Sequence, residues 1–447
     1  MAYTYLETAE AAMRFINTRK RQGSKGIYFT LEDVQAGPKQ YYDEICLYAG
    51  ASGVLCYLLG LYNATEKAEY LSEAEEIAEY LQYRWENRQE LKRNFSKYAF
   101  SSGWSGAGFA LLNLYQATGK EEYADTVRSI LDQAVSDVRL EAAQDENEST
   151  FVLWSTFQGI VGNAGTILFF LKAAKVLKED RFREFAVEAG TAFLNQGRDM
   201  GDGKIVYQGV DPVYFGAAKN YVDPNYPMGT AGISYMLLRL YEESQDERFL
   251  KAVQSVTEYM DSVAVKISPA GKLLPHGLPD RGNLFYLGYC HGPAGTNRFY
   301  YKLYEMTKES KYLEAIHQLT RGLESMGAPA KRSEGYWNVE NICCGTAGIL
   351  NMYAGLWAGL KEEHYLEKAE ECGKILLEDA VYEETEDGLT AKWTFALNRI
   401  APTELCSPIG FLDGAAGIGA MLLQLHSIEQ GNFHALRAVD DPFPEKA

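Results

Sequence analysis

The sequence predicts an all-α fold, an α/α toroid of seven inner and seven outer helices. Three observations lead there. One short pattern, Gly-x-x-Gly followed by an apolar stretch, recurs at Gly50/Gly53, Gly103/Gly106, Gly162/Gly165, Gly229/Gly232, Gly292/Gly295, Gly345/Gly348 and Gly414/Gly417. Amphipathic segments alternate with these stretches. Neither end carries the polar repeat that caps an open stack, so the repeats are expected to close into a ring. A repeat of this period fixes architecture ahead of any local signal.

The elements follow in order. The segment 5–20 supplies a first amphipathic helix. Each glycine pair then opens a buried helix. Val54-Leu55-Cys56-Tyr57-Leu58-Leu59 and Ile233-Ser234-Tyr235-Met236-Leu237-Leu238 are apolar nearly all round, as a buried helix requires. Paired glycines permit close backbone approach at the crowded helix start. Nine residues after the second glycine a ring recurs, at Tyr62, Tyr115, Tyr241, Tyr304, Trp357 and His426; the third copy lacks it. Between the buried helices, 69–85, 121–139, 181–198, 247–264, 310–327 and 363–381 show apolar residues at three- and four-residue spacing. In one of them Leu313, Ile316 and His317 share a face while Glu314 and Gln318 point away. Few strands are expected. The longer links 199–228, 265–291, 328–343 and 382–413 are expected as loops or small hairpins over the glycine-rich face, where functional residues tend to lie.

The length would allow about three domains, but the repeat runs end to end, so one domain over 1–447 is expected. A formal net charge of -18 argues against a general nucleic-acid binder and would favour a basic peptide or cationic substrate. No apolar run approaches the roughly 20 residues of a membrane span. No basic start followed by an apolar stretch marks a secretory signal. Seven cysteines, an odd number with two adjacent, fit a reducing cytoplasm with thiols free or on a metal. A cytoplasmic location is therefore expected.

Three of those cysteines carry the chemistry. Cys290 lies two residues before Gly292, Cys343 two before Gly345, and Cys344 one before it. Equivalent positions in successive repeats bring them to neighbouring helix starts. Zinc takes tetrahedral thiolates and keeps a position open where it is catalytic. Helix N-termini and the metal both favour the thiolate. The plain alternative is small thiols filling the narrow glycine end; three at equivalent positions favour zinc over it. Cys56 and Cys372 read as core, Cys46 precedes the first repeat, and Cys406 falls outside the expected ligand set.

The repeats, with Tyr289-Cys290-His291-Gly292 and Cys343-Cys344-Gly345, resemble the lanthionine cyclase (LanC-like) family over essentially the whole chain. The resemblance implies a toroid with a zinc site. Cys290 and Cys343 match its zinc cysteines, and Cys344 stands where most members have histidine, as in some cyclase domains of multidomain synthetases. It also implies a reaction, in which zinc activates a peptide cysteine thiol that adds to dehydroalanine or dehydrobutyrine to form a thioether ring. Three positions depart from the family pattern: Met228 replaces a histidine, Gln158 an aspartate and Tyr286 an arginine.

Among acid–base candidates His291 leads, since it adjoins Cys290 and could protonate the enolate left by thiol addition. Arg298, a charge on a buried helix, and Tyr289 are expected to contact substrate; an ion pair is the other reading of Arg298. Tyr286 could donate a hydrogen bond. Asp413 is expected as a helix cap, His276 on the surface of a loop, and His317, His364, His426 and His434 without a role. The expected function is a zinc-dependent cyclase acting on a dehydrated precursor peptide, with dehydratase and exporter as separate proteins. The alternatives are addition of a small thiol such as glutathione, and a non-catalytic peptide-binding scaffold. A toroidal carbohydrate enzyme would need paired acids at the repeat mouths, where cysteines stand instead.

Overall fold

A computed structural model describes residues 3–31, 42–87, 90–91, 97–138, 153–210, 220–279, 282–331, 336–337, 339–396, 401–433 and 437–444. Among them are fourteen α-helices. The inner set is α2 (Ala51–Thr65), α4 (Trp104–Thr118), α6 (Asn163–Leu177), α8 (Thr230–Ser244), α10 (Pro293–Thr307), α12 (Thr346–Leu360) and α14 (Ala415–Glu429). The outer set is α1 (Tyr5–Asn17), α3 (Ala68–Glu86), α5 (Glu121–Ser136), α7 (Asp180–Leu194), α9 (Glu247–Val263), α11 (Ser310–Ser325) and α13 (Glu363–Asp379). All seven inner helices have 15 residues, and the first glycine of each pair is the N-cap. No side chain caps any of these starts; their amide groups turn to the chain just upstream instead.

Each inner helix from α2 to α12 passes to its outer partner through two residues, the first of them left-handed: Glu66, Gly119, Lys178, Gln245, Lys308 and Lys361. The N–H of that residue bonds the carbonyl four positions back, on Tyr62, Tyr115, Ala174, Tyr241, Tyr304 or Trp357. The recurring ring of the sequence pattern therefore marks the last turn of the inner helix. The inner helices pack neighbour to neighbour, and α14 returns against α2 to close the ring. α1, first in sequence, packs on α14, last in sequence.

A girdle of backbone hydrogen bonds joins the segments just before the inner helices. Tyr48 N–H donates to Ser101 O at 2.9 Å, Ser101 to Val161 at 2.9 Å, and Ile160 to Pro227 at 2.7 Å. His291 N–H donates back to Tyr226 O. Cys290 N–H donates to Cys343 O at 2.7 Å, Cys343 to Leu412 at 2.9 Å, and Leu412 to Tyr48 at 2.9 Å. All seven starts thus meet on one face. The second glycine of each pair is where this girdle presses on the helix. A Cβ on Gly295 would lie 2.1 Å from Tyr289 O and 2.9 Å from Tyr226 Cβ in the preceding repeat.

The strands are short. β1 (Lys20–Gln22) pairs with β2 (Ile27–Phe29), and β3 (Arg198–Asp199) with β4 (Ile205–Val206). β5 (Val265–Lys266) pairs with β6 (Lys272–Leu273), and β7 (Phe285–Tyr286) with β8 (Tyr336–Trp337). β9 (Val381–Thr385) pairs with β10 (Gly388–Lys392), and β11 (Phe395–Ala396) with β12 (Leu405–Cys406). From β3 onward they fall in the long links except for Arg198 and Val381, which were expected in outer helices, and β7 with β8 is a parallel pair between two links where a hairpin was expected. The pair β3–β4 also corrects the expected end of the outer helix at 198: α7 stops at Leu194 because the chain turns back into that hairpin. Among the described residues no helix is long and apolar enough to cross a membrane.

Candidate metal centre

Cys290 and Cys343 occupy the same girdle position as Tyr48, two residues ahead of an inner-helix glycine. Cys344 follows at the start of α12, its N–H held by Asn341 Oδ1 at 2.8 Å. The girdle bond from Cys290 to Cys343 draws the two repeats together. As a result, Cys290 Sγ lies 3.4 Å from Cys344 Sγ, and Cys344 Sγ lies 3.5 Å from Cys343 Sγ. All three sulfurs fall within 4.8 Å of one another. A tetrahedral site with bonds of about 2.3 Å separates its sulfurs by about 3.8 Å, so the cluster needs only a small adjustment to hold zinc. The donor set fits: three soft ligands, buried or nearly so, from two adjacent repeats.

The thiols are unequal. Hydrogen bonds from Cys290 and Cys344 hold Cys343 well below the usual thiol range, and the Tyr48 hydroxyl adds to them. Cys290, which donates toward Cys343, is pushed up. Cys343 is therefore the most acidic thiol of the three. Cys56 and Cys372 are buried in the core, as the sequence predicts. Burial pushes Cys46 and Cys56 up to about 12, so both stay protonated. Cys406 lies on β12, outside the cluster.

On one flank stands His291. It is left-handed, with φ 58°, a region histidine enters more readily than most residues. Its Nδ1 lies 2.7 Å from Asp223 Oδ2 at ion-pair distance, although the two atoms are not aligned as a straight hydrogen bond. Asp223 is in turn fixed by the Asn225 N–H at 2.9 Å. Burial alone would push the imidazole down, but the Asp223 carboxylate outweighs it and holds His291 above its ordinary value. The His276 ring centroid is 4.4 Å from that of His291 and 4.4 Å from that of Tyr286. His276 is thus a member of the site, not the surface histidine the sequence suggests: its loop folds back and its N–H bonds Leu284 O at 2.9 Å. On the other flank Tyr48 stacks on Tyr42 with centroids 4.5 Å apart. Asp413 is near both, raising their hydroxyl pKa values behind the larger effect of burial. It does not fill the expected cap position, which is Gly414.

The three departures are placed differently. Gln158 is fully buried, donating to Ser155 O and accepting from Asn163 Nδ2, both at 2.9 Å. The Met228 backbone packs against Gly159 and Gly209. Tyr286 lies on β7 beside His276. Arg298 and Tyr289, expected as substrate contacts, both meet Asp440 near the end of the chain. Arg298 Nη1 is 2.9 Å from Asp440 Oδ2, and the Tyr289 hydroxyl donates to the same oxygen at 2.9 Å. Arg298 thus forms an ion pair. His317 and His364 pair with Glu362 and Glu324 away from the site. His426 sits in the last turn of α14, and His434 falls outside the described residues.

Asp223, Tyr48, Tyr42 and Asp440 went unread in the sequence. Tyr48 alone carried a signal, its register with Cys290 and Cys343.

A closed ring of paired helices with a cysteine cluster at its mouth defines a class, and comparison with known proteins supplies its name. The family model for lanthionine synthetase C-like proteins matches residues 5–205 and 224–389. The chain belongs to that family. No curated protein matches the sequence. Among solved structures, nisin cyclase superposes with a TM-score of 0.63 at 14% identity, over 91% of this chain and 95% of that one. The Lin0763 protein of Listeria innocua gives 0.49 at 13% identity, over 96% and 99%. A D-mannose isomerase gives 0.43 at 16% identity, over 75% and 89%.

Proposed function

We propose that the protein is a zinc-dependent lanthionine cyclase that joins cysteine thiols of a peptide to its dehydroalanine or dehydrobutyrine residues. The observation that supports it is the cluster of Cys290, Cys343 and Cys344 at the mouth of a LanC-like ring. These three would hold zinc, which when bound supplies a Lewis-acidic position where the incoming thiol gives up its proton near neutral pH. The remaining work falls to the chain's own side chains. The Asp223 carboxylate beside Nδ1 stabilises the imidazolium of His291, so that Nε2 takes up the thiol's proton and returns it in the next step. Sulfur adds to the β-carbon, the α-carbon becomes carbanionic, and the imidazolium donates a proton there. One C–S and one C–H bond form, one S–H bond and the C=C π bond break, and no electrons are lost. Tyr48 and Tyr42 offer hydroxyl donors on the opposite flank.

Dehydration and export would fall to other proteins, and the reaction would take place in the cytoplasm. The replacements Gln158, Met228 and Tyr286 favour one second reading, in which the same site adds a small thiol such as glutathione. Mass spectrometry of a dehydrated, cysteine-containing peptide after alkylation separates the two. Loss of free thiols with no mass gain is cyclisation, whereas a gain of one glutathione per dehydrated residue is the second reading. We expect about one zinc per chain, with Cys290→Ala, Cys343→Ala and Cys344→Ala each losing metal and turnover. Zinc-free wild-type protein, or full zinc in all three variants, overturns the reading.

A further inference from the structure

We propose that Asp440, in the tail beyond α14, is a positioning residue for the metal centre, acting through the hydroxyls of Tyr289 and Tyr226. The inference rests on the zinc reading above and adds a second support to it.

One oxygen carries the argument. Asp440 Oδ2 accepts from the Tyr226 hydroxyl at 2.8 Å and the Tyr289 hydroxyl at 2.9 Å, and it meets Arg298 Nη1 at 2.9 Å. Asp440 is only 2% exposed. Tyr289 is peptide-bonded to Cys290, and the Tyr226 carbonyl accepts the N–H of His291. Each hydroxyl contact therefore lies one residue, or one backbone hydrogen bond, from a side chain of the site. The anchor itself is tied down. Arg298 also donates to Asn351, whose amide donates to Gln424 at 3.2 Å, joining α10, α12 and α14. Phe443, three residues further along, is outside this network: it packs on Gly355, where a Cβ would come within 2.2 Å of its ring, and on Tyr301.

A tail that only filled space would need apolar residues, as Val439 and Phe443 are. Burying a charged pair seldom adds stability over well-packed apolar side chains, and such pairs are best explained where they fix a geometry. Here the fixed geometry is the girdle between the fourth and fifth repeats, beneath Cys290 and His291. Groups beyond a metal's ligands that set ligand orientation typically change metal affinity 10- to 100-fold when removed.

The test uses the full-length protein loaded with zinc or cobalt. Tyr289→Phe is the decisive variant, since it deletes one hydroxyl and leaves the Asp440–Arg298 pair and the ring over Arg298 in place. Asp440→Asn is its companion, and Phe443→Ala is the control that loosens the tail away from the site. Tyr289→Phe and Asp440→Asn should lose zinc to a chelator at least about tenfold more readily and shift the cobalt–thiolate absorption bands. Phe443→Ala should lower the melting temperature and leave both readouts unchanged. If Tyr289→Phe matches wild type, or if Phe443→Ala moves the bands as far, the positioning role is overturned. Wild-type protein that takes up neither metal overturns the zinc reading, and this inference with it. Should Asp440→Asn fail to fold, Tyr289→Phe alone decides.

Discussion

His291, the proton donor of the proposed reaction, stands out by one backbone torsion. Of the residues directly ahead of the inner-helix glycines it alone is left-handed, with φ 58°, and its Nδ1 lies 2.7 Å from Asp223 Oδ2. Asparagine also tolerates this region, whereas alanine pays a steric penalty of about 1 kcal/mol there. His291→Asn is therefore expected to keep the fold and its zinc while turnover falls about 10²-fold or more, the usual scale of a lost general acid. His291→Ala should lose turnover likewise and also melt earlier. Metal analysis, melting temperature and single-turnover kinetics on both variants check this; full turnover by His291→Asn would remove the residue from the mechanism. The cysteine centre was legible in the sequence because repeat register converts directly into spatial register. His276, Asp223 and Asp440 were not legible. They reach the site from loops and a tail that follow no repeat, and only the folded chain brings Asp440 beside Tyr226, 214 residues away in sequence.

The links between inner and outer helices repeat as strictly as the glycines. Their register was visible through the recurring aromatic ring, but their conformation was not, because only one of the six left-handed positions is glycine. Gly119 has φ 70° and Lys178 has φ 58° at equivalent places, and a Cβ on Gly119 would meet nothing within 4 Å. With sterics open, the backbone torsion decides. Gly119→Ala should destabilise by about 1 kcal/mol, while Lys178→Gly should stabilise by up to about 1 kcal/mol, reduced by glycine's larger unfolded-state entropy. Denaturant midpoints at constant slope measure both. Equal signs for the two substitutions would show that side-chain contacts, and not torsion, govern these links.

Ring closure makes the first helix in sequence a core element. The amphipathic pattern of 5–20 told that it packs, though not on what. Its partner α14 begins some 400 residues later, a distance no local pattern spans. In the ring α1 holds the place on α14 that α3 holds on α2, and Ile16 is as fully buried as Ile130 in α5. A chain end docked only loosely would lose little on truncating Ile16, since terminal segments fray at small free-energy cost. A ring member should lose as much as any other. Ile16→Ala is expected to destabilise by about 2–5 kcal/mol, within the same range as Ile130→Ala, from lost transfer energy plus the cavity left behind. Equilibrium unfolding of the two variants side by side gives the comparison. A loss below about 1 kcal/mol at Ile16 alone would mean that the ring holds without its N-terminal helix, and that its closure rests on the inner helices and the girdle at their mouths.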